Sequence, residues 1–230
     1  MIIEAAVESL DAALAAADDG EGAHRIELCA DLAHGGTTPD VALVRAAVSQ
    51  LPIPVFVLIR PRPGDFCYSR AEHRLMLEQI GAARRAGAAG IVTGALTRHQ
   101  DIDQIRTAEL FEVARPLPVT FHRAFDECPP RPPRVSPALE ILVALGANRV
   151  LTSGGAKTAA DGVAQIRKLV LQARGRVTIL AGGGVNADNA AHLVQASGVR
   201  EVHFSVQDAE KVRRVMRALK GAGRVYNPNR

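Results

Sequence analysis

Tryptophan is absent from the 230 residues, and Phe and Tyr bring the aromatic fraction to only 3%. Proteins that grip single-stranded nucleic acid stack bases on aromatic side chains beside a basic groove. Here 28 Lys and Arg are scattered among 24 Asp and Glu, for a net charge of +4, so nucleic acid is not expected as a partner. Cysteine is scarce too: three residues, an odd count with no C-x-x-C pair and no zinc-type spacing. That argues against a disulfide framework and for a reducing compartment, the cytoplasm. No apolar run reaches the ~18 residues of a membrane span. The start MIIEAAVES has Glu4 where a secretory leader would place a basic residue and an apolar stretch. Neither a membrane partner nor secretion is expected. With 47% hydrophobic and 23% charged residues, a disordered chain is excluded as well.

What the chain does have is a repeat of short β-branched runs, centred near Ile3, Ile26, Val57, Val92, Val119, Val150, Ile179 and Val202. Between them lie Ala/Leu-rich stretches with helical spacing: Ser9–Ala17, Pro39–Val48, Glu72–Ala86, Gln104–Ala114, Pro137–Leu145, Ala160–Ala173, Asp188–Gln195 and Ala209–Leu219. Gly20, Gly87, Gly146, Gly175 and Gly198 sit where such helices stop. Strict β/α alternation implies a parallel sheet with helices outside. Eight units predict a single-domain (β/α)8 TIM barrel over residues 1–220, followed by a mobile polar tail, 221–230. An open doubly wound sheet is the competing arrangement, but no G-x-G-x-x-G follows the first strand, and no nucleotide cofactor is expected. The Pro-rich stretch Cys128–Pro137 reads as an extended loop, and Asn186 or Asp188 as the cap of the helix after strand seven.

Side chains alternate between the two faces of a strand, and in a barrel one face meets the helices while the other fills the interior. Placing the β-branched residues outward sends Glu4, Arg25, Glu27, Cys29, Phe56, Leu58, Arg60, Thr120, His122, Ser153, Glu201, His203 and Ser205 inward. So many buried polar groups must pair with one another, with water or with a ligand. Cys29, Arg60, His122, Ser153 and His203 lie near C-terminal strand ends, the face that carries TIM-barrel active sites. This favours a ligand site over a self-satisfied plug. Glu27 and His122 are candidates to exchange protons, and His203 to polarise a substrate oxygen. Arg60, Arg62 and Asp65 after strand three, and Arg123 and Asp126 after strand five, form two Arg-bearing loops suited to a carboxylate or phosphate. The glycine turns Ser153-Gly154-Gly155 and Gly182-Gly183-Gly184, with Ser205, would let backbone approach a ligand. Cys29 and Cys67 fall on adjacent units, and two thiolates would suit a soft ion such as Cu(I).

These same residues carry a resemblance. Arg25-Ile-Glu-Leu-Cys29, Gly35-Gly-Thr-Thr-Pro39, Ile59-Arg-Pro-Arg62 with Gly64-Asp-Phe-Cys-Tyr-Ser69, Pro118-Val-Thr-Phe-His-Arg-Ala-Phe-Asp126, Arg149-Val-Leu-Thr-Ser-Gly-Gly155 and Ala181-Gly-Gly-Gly184 together resemble the CutC family of copper homeostasis proteins, over about residues 1–205. The resemblance implies a cytoplasmic TIM barrel, a homo-oligomer with a dimer favoured, and a link to copper tolerance with Cu(I) as ligand. Cys29 matches the family cysteine proposed to hold it. The chain departs from the family after His203, where His203-Phe-Ser205 runs almost directly into the last helix, which predicts a shorter pocket wall. Two functions follow: copper handling through Cys29 and Cys67, or acid/base chemistry on a small anionic or sugar-like metabolite.

Overall fold

Eight parallel strands, β1 (Ile2–Val7), β2 (Arg25–Leu28), β3 (Val55–Leu58), β4 (Gly90–Thr93), β5 (Val119–Phe121), β6 (Arg149–Thr152), β7 (Thr178–Gly182) and β8 (Glu201–Ser205), pair in chain order and close into a barrel. The last pairs with the first, Glu4 lying beside His203. The computed structural model describes residues 1–17, 22–129, 136–206 and 209–221. Most of the Pro-rich loop, Gly20 and most of the expected polar tail lie outside the described residues. The helices are α1 (Leu10–Ala16), α2 (Val41–Gln50), α3 (Arg70–Arg85), α4 (Gln104–Ala114), α5 (Pro137–Leu145), α6 (Val163–Ala173), α7 (Ala190–Ser197) and α8 (Ala209–Gly221). Among the described residues, no helix is long and apolar enough to cross a membrane.

Local chemistry sets the boundaries. Ser69 and Glu72 form a reciprocal capping box, so α3 begins two residues before its apolar periodicity does. Gly146 and Gly198 end α5 and α7 in the left-handed conformation, at φ 87° and 79°. Neither Asn186 nor Asp188 is the cap of α7: the boundary residue is Asn189. The Asn186 carboxamide oxygen is engaged earlier, accepting from the amides of Asp188 and Asn189 in the turn that leads into the helix. Two short 3₁₀ turns, Leu32–His34 and Arg123–Glu127, stand in loops that hydrophobic periodicity did not mark.

The alternation of faces holds through the barrel. Ile3, Val7, Ile26, Leu28, Val55, Val57, Ile59, Val119 and Val202 join the core shared with the helices, whereas Ala6, Cys29, Phe56, Leu58 and Val92 form a separate interior cluster. The lower end is closed by charge as well as by hydrocarbon. Arg25 binds Glu4 through Nε and Glu201 through Nη2, the latter at 2.7 Å, and Arg149 Nε reaches Glu201 at 2.9 Å. The Phe56 ring lies 4.9 Å from the Arg25 guanidinium and 5.4 Å from that of Arg149. Gly90 on β4 leaves space for this ring, and a Cβ there would overlap it. Because Phe56 is held on two sides, Gly90→Ala is expected to cost about 1–3 kcal/mol by overpacking. Urea denaturation followed by circular dichroism checks this, and an unchanged midpoint would mean that the ring has room to tilt.

Candidate functional site

Above this floor, at the C-terminal ends of the strands, is a cavity of 190 Å³. One wall is built from β1, β2 and β8. Glu27 and His203 face the cavity, with Glu4 beneath them. His203 Nδ1 hydrogen-bonds Glu4 Oε1 at 2.8 Å and lies 3.6 Å from Glu27 Oε2. Glu4 is fully buried, which works to raise its pKa, but the His203 hydrogen bond and the Arg25 charge outweigh this and hold it down. At Glu27 the balance is reversed: burial, reinforced by the Glu4 charge, outweighs the His203 and Arg25 charges and pushes it up to about 7, and its Oε2 is buried without a hydrogen-bond partner. His203 moves upward despite its burial, because Glu27 and Glu4 both favour the imidazolium. The wall is therefore an imidazolium between two carboxylates, one securely ionised and one poised to take or release a proton near neutrality.

The second wall comes from β3, β5 and the loops behind them. Arg60 donates from Nη1 to the Gly36 and His34 carbonyls, at 2.8 and 3.3 Å, and from Nη2 to the Gly64 carbonyl at 2.8 Å. It thereby ties the loops after β2 and β3 together. Its guanidinium stacks 4.9 Å from the Phe66 ring, which in turn lies 4.8 Å from the His122 ring. Burial, then the Arg60 charge, pushes His122 down to about 3, so its imidazole is neutral. Nδ1 accepts from the Ala124 amide at 3.3 Å, which places the proton on Nε2.

The sequence profile of the CutC family matches residues 1–208. The chain belongs to the CutC family. A CutC family protein from Pasteurella multocida is 47% identical over 205 residues, covering 89% of this chain and 82% of that one. The human copper homeostasis protein cutC homolog is 43% identical over 206 residues, covering 90% and 73%. A CutC structure from Streptococcus agalactiae superposes with a TM-score of 0.82 at 34% identity, covering 88% of this chain and 97% of that one.

In this CutC chain Glu27, His122 and His203 all line the one cavity, together with Cys29, Arg60, Arg123, Gly183 and Ser205. The other residues expected to bind substrate lie elsewhere. Arg62 pairs with Asp65 at 2.9 Å and with Glu72 at 2.5 Å, outside the cavity lining. Asp126 accepts from the Ser153 amide and hydroxyl, the Gly155 amide, the Thr152 hydroxyl and Arg123 Nε. It fastens the loop after β6, with Ser153 and Gly154, to the turn after β5. Gly182 lies below, where a Cβ would meet Leu151 and His203. A larger groove of 690 Å³ runs past Asp126, Gly154 and Lys168. The displaced titrations of Glu27, His122 and His203 belong to the axial cavity instead.

Glu4 and Phe66 are the functional neighbours that the sequence-derived candidate set lacked. Strand alternation alone places Glu4 inside, and its pairing is what distinguishes it from Glu27. Phe66 stands in a loop, where no periodicity reports which way a ring turns.

Cu(I) prefers thiolate sulfur, and the Cys29 thiol is a poor source of it. Its Sγ is buried and donates to the Val7 carbonyl at 3.3 Å. Burial, followed by the charges of Glu27 and Glu8, pushes its pKa far up. Cys67 lies outside the cavity lining. Among the described residues, the group of three or more His, Cys, Asp or Glu with ligand atoms mutually within 4.8 Å is Glu4, Glu27 and His203, without sulfur. There Arg25 already neutralises Glu4 and an Nδ1 proton lies between the carboxylates, so these residues are arranged to share protons. Cys29 is accordingly expected to resist Ellman's reagent at pH 8 in the folded protein and to react only on denaturation. Fast native labelling at Cys29, located by peptide mapping, would contradict the burial argument.

Proposed function

We propose that this CutC chain is an enzyme that exchanges a proton with a small anionic or sugar-like metabolite, with Glu27 as the acid/base. The observation that carries the reading is the unpaired Glu27 carboxylate oxygen beside His203, at the wall of a cavity on the catalytic face of a TIM barrel. A pKa raised to about 7 supports it, because a proton carrier works best when it titrates near the working pH. Glu27 takes a proton from a substrate carbon next to a carbonyl, or from a hydroxyl. His203, held as imidazolium by Glu4, hydrogen-bonds the substrate oxygen on which negative charge develops. Glu27 then returns the proton to the same or a neighbouring atom, so no other reactant is consumed.

The human relative is named for copper homeostasis, and we take that as the process this chain serves. Direct Cu(I) capture by Cys29 and Cys67 is the competing account. An anaerobic titration against a competing chelator separates the two: tight binding of one Cu(I) per chain, lost in Cys29→Ser, would favour capture. The burial of Cys29 leads us to expect no such loss. Cys29, Cys67 and Cys128 form no disulfide, which supports a cytoplasmic location. A homodimer is a further expectation, checked by light scattering.

The enzyme reading is tested by incubating the protein in D₂O with a panel of short hydroxy acids, oxo acids, aldoses and ketoses, and following C–H signals by NMR. Time-dependent exchange of one C–H in at least one compound, abolished in Glu27→Gln, is the expected result. A folded wild type that exchanges none of them would remove this function.

A further inference from the structure

We infer that the Arg60–His122 end of the cavity is a subsite for one carboxylate group, so that the substrate is a short monocarboxylic acid bearing a neutral hydroxyl or oxo group. The inference deepens the proton-transfer reading and rests on it for the role of the opposite wall. Arg60 is buried, and all three of its hydrogen bonds go to uncharged backbone carbonyls. Among the described residues no carboxylate hydrogen-bonds it, Glu127 being its electrostatic neighbour only, and its Nε–H is buried without an acceptor. Guanidinium groups removed from water are normally matched by an anion. The second orphan is His122 Nε2, also buried and unpartnered, on a ring that lines the same cavity. Its tautomer is fixed, since Nδ1 is occupied as an acceptor by the Ala124 amide, so Nε2 can only donate. The Phe66 ring touches both groups, 4.9 Å from the Arg60 guanidinium and 4.8 Å, tilted by 50°, from the His122 ring. Two buried donors without acceptors, one of them on a cation whose anionic neighbour, Glu127, makes no hydrogen bond to it, suit an acceptor-rich anion.

Charge and size narrow the class. One buried cation, its charge already answered in part by Glu127, suits at most one further negative charge, a carboxylate rather than a phosphate dianion. Glu4 and Glu27 on the facing wall would repel a second negative charge, so the rest of the molecule is neutral. A cavity of 190 Å³ is smaller than the ~300–1,000 Å³ of drug-sized ligand sites, which favours a small acid.

The test is isothermal titration at pH 8 with glycolate, L-lactate and pyruvate, beside lactamide as the uncharged counterpart of lactate and inorganic phosphate as the other anion. Saturable binding of at least one carboxylate is expected, with no binding of lactamide. His122→Phe keeps a ring and removes the Nε2–H, and should weaken binding about tenfold or more. Arg60→Lys should do the same if its loops stay folded, and the His122 variant decides if they do not. No carboxylate binding, equal binding of lactamide, preferential binding of phosphate, or an unaffected His122→Phe would each overturn the subsite. Carboxylate binding without C–H exchange would leave the subsite standing and remove the proton-transfer reading. Exchange of a neutral sugar without carboxylate binding would do the reverse.

Discussion

Glu27→Gln is expected to lower proton exchange by about 10²–10⁴-fold, the range supplied by a positioned acid or base, while relieving a loss of stability at high pH. The two effects share one cause. Burial disfavours the Glu27 carboxylate and moves its pKa from 4.5 to about 7. Between those values the folded chain keeps a proton that the unfolded chain has released. The stabilisation is complete below about pH 4.5 and is lost as pH rises through 7. His203 acts in the same direction: its pKa is raised in the fold, so its contribution is also lost with rising pH. Glu4 has the opposite sign. Held near 2 by His203 and Arg25 against its own burial, it contributes stability above about pH 4.5 that is lost on acidification. Between pH 5 and pH 8 His122, pushed down to about 3, opposes Glu27 and His203, because at pH 5 its unfolded imidazole is charged and its folded one is not. The Glu27 effect is therefore read as a difference: from pH 5 to pH 8 the melting temperature of wild type should fall relative to that of Glu27→Gln, because an amide has no charge to bury. Differential scanning fluorimetry at both pH values, run beside the exchange assay, reads both predictions. An equal change in the two proteins would mean that the carboxylate is hydrated and ordinary.

Arg25→Met is expected to cost about 3–5 kcal/mol, the usual penalty for removing one partner of a buried ion pair. Arg25 holds Glu4 and Glu201 at once and covers the Phe56 face. Without it two carboxylates remain in a nearly dry interior, with Arg149 and His203 as their remaining partners. Urea denaturation measures the loss, and the double variant Arg25→Met/Glu201→Gln should recover part of it because one stranded charge is gone. A loss below about 1 kcal/mol would show that water reaches the floor and screens the network.

The strands were legible because their signal is chemical and local. A parallel strand buried on both faces needs β-branched residues on the helix side, and Val55, Val57 and Ile59 mark that side of β3 without ambiguity. The same alternation gave the inward set, including Glu27, His122 and His203, now found around one cavity. Partners were not legible, because they depend on distances between strands far apart in the chain. Arg60 and Arg62 are two residues apart and chemically alike. One turns into the barrel onto backbone carbonyls, while the other turns out to Asp65 and Glu72. Asp126 reads as a ligand-binding carboxylate in sequence, yet its oxygens are taken by the loop after β6. Arg149 alternates with the inward-facing Leu151, which would have placed it inside, but its role in closing the floor required knowing where Phe56 and Glu201 lie.

The Phe56 ring, packed against two guanidinium groups, fills the barrel beneath the cavity, which lies at the C-terminal ends of the strands. Whatever reacts there must arrive and depart by the same route, and 190 Å³ admits one small molecule at a time. If the reaction has a second organic reactant, the first product must leave before it arrives. Steady-state rates measured at several concentrations of that reactant would then give parallel double-reciprocal lines, not intersecting ones. If the reaction has only one substrate, the product is its competitive inhibitor, because both use the same cavity.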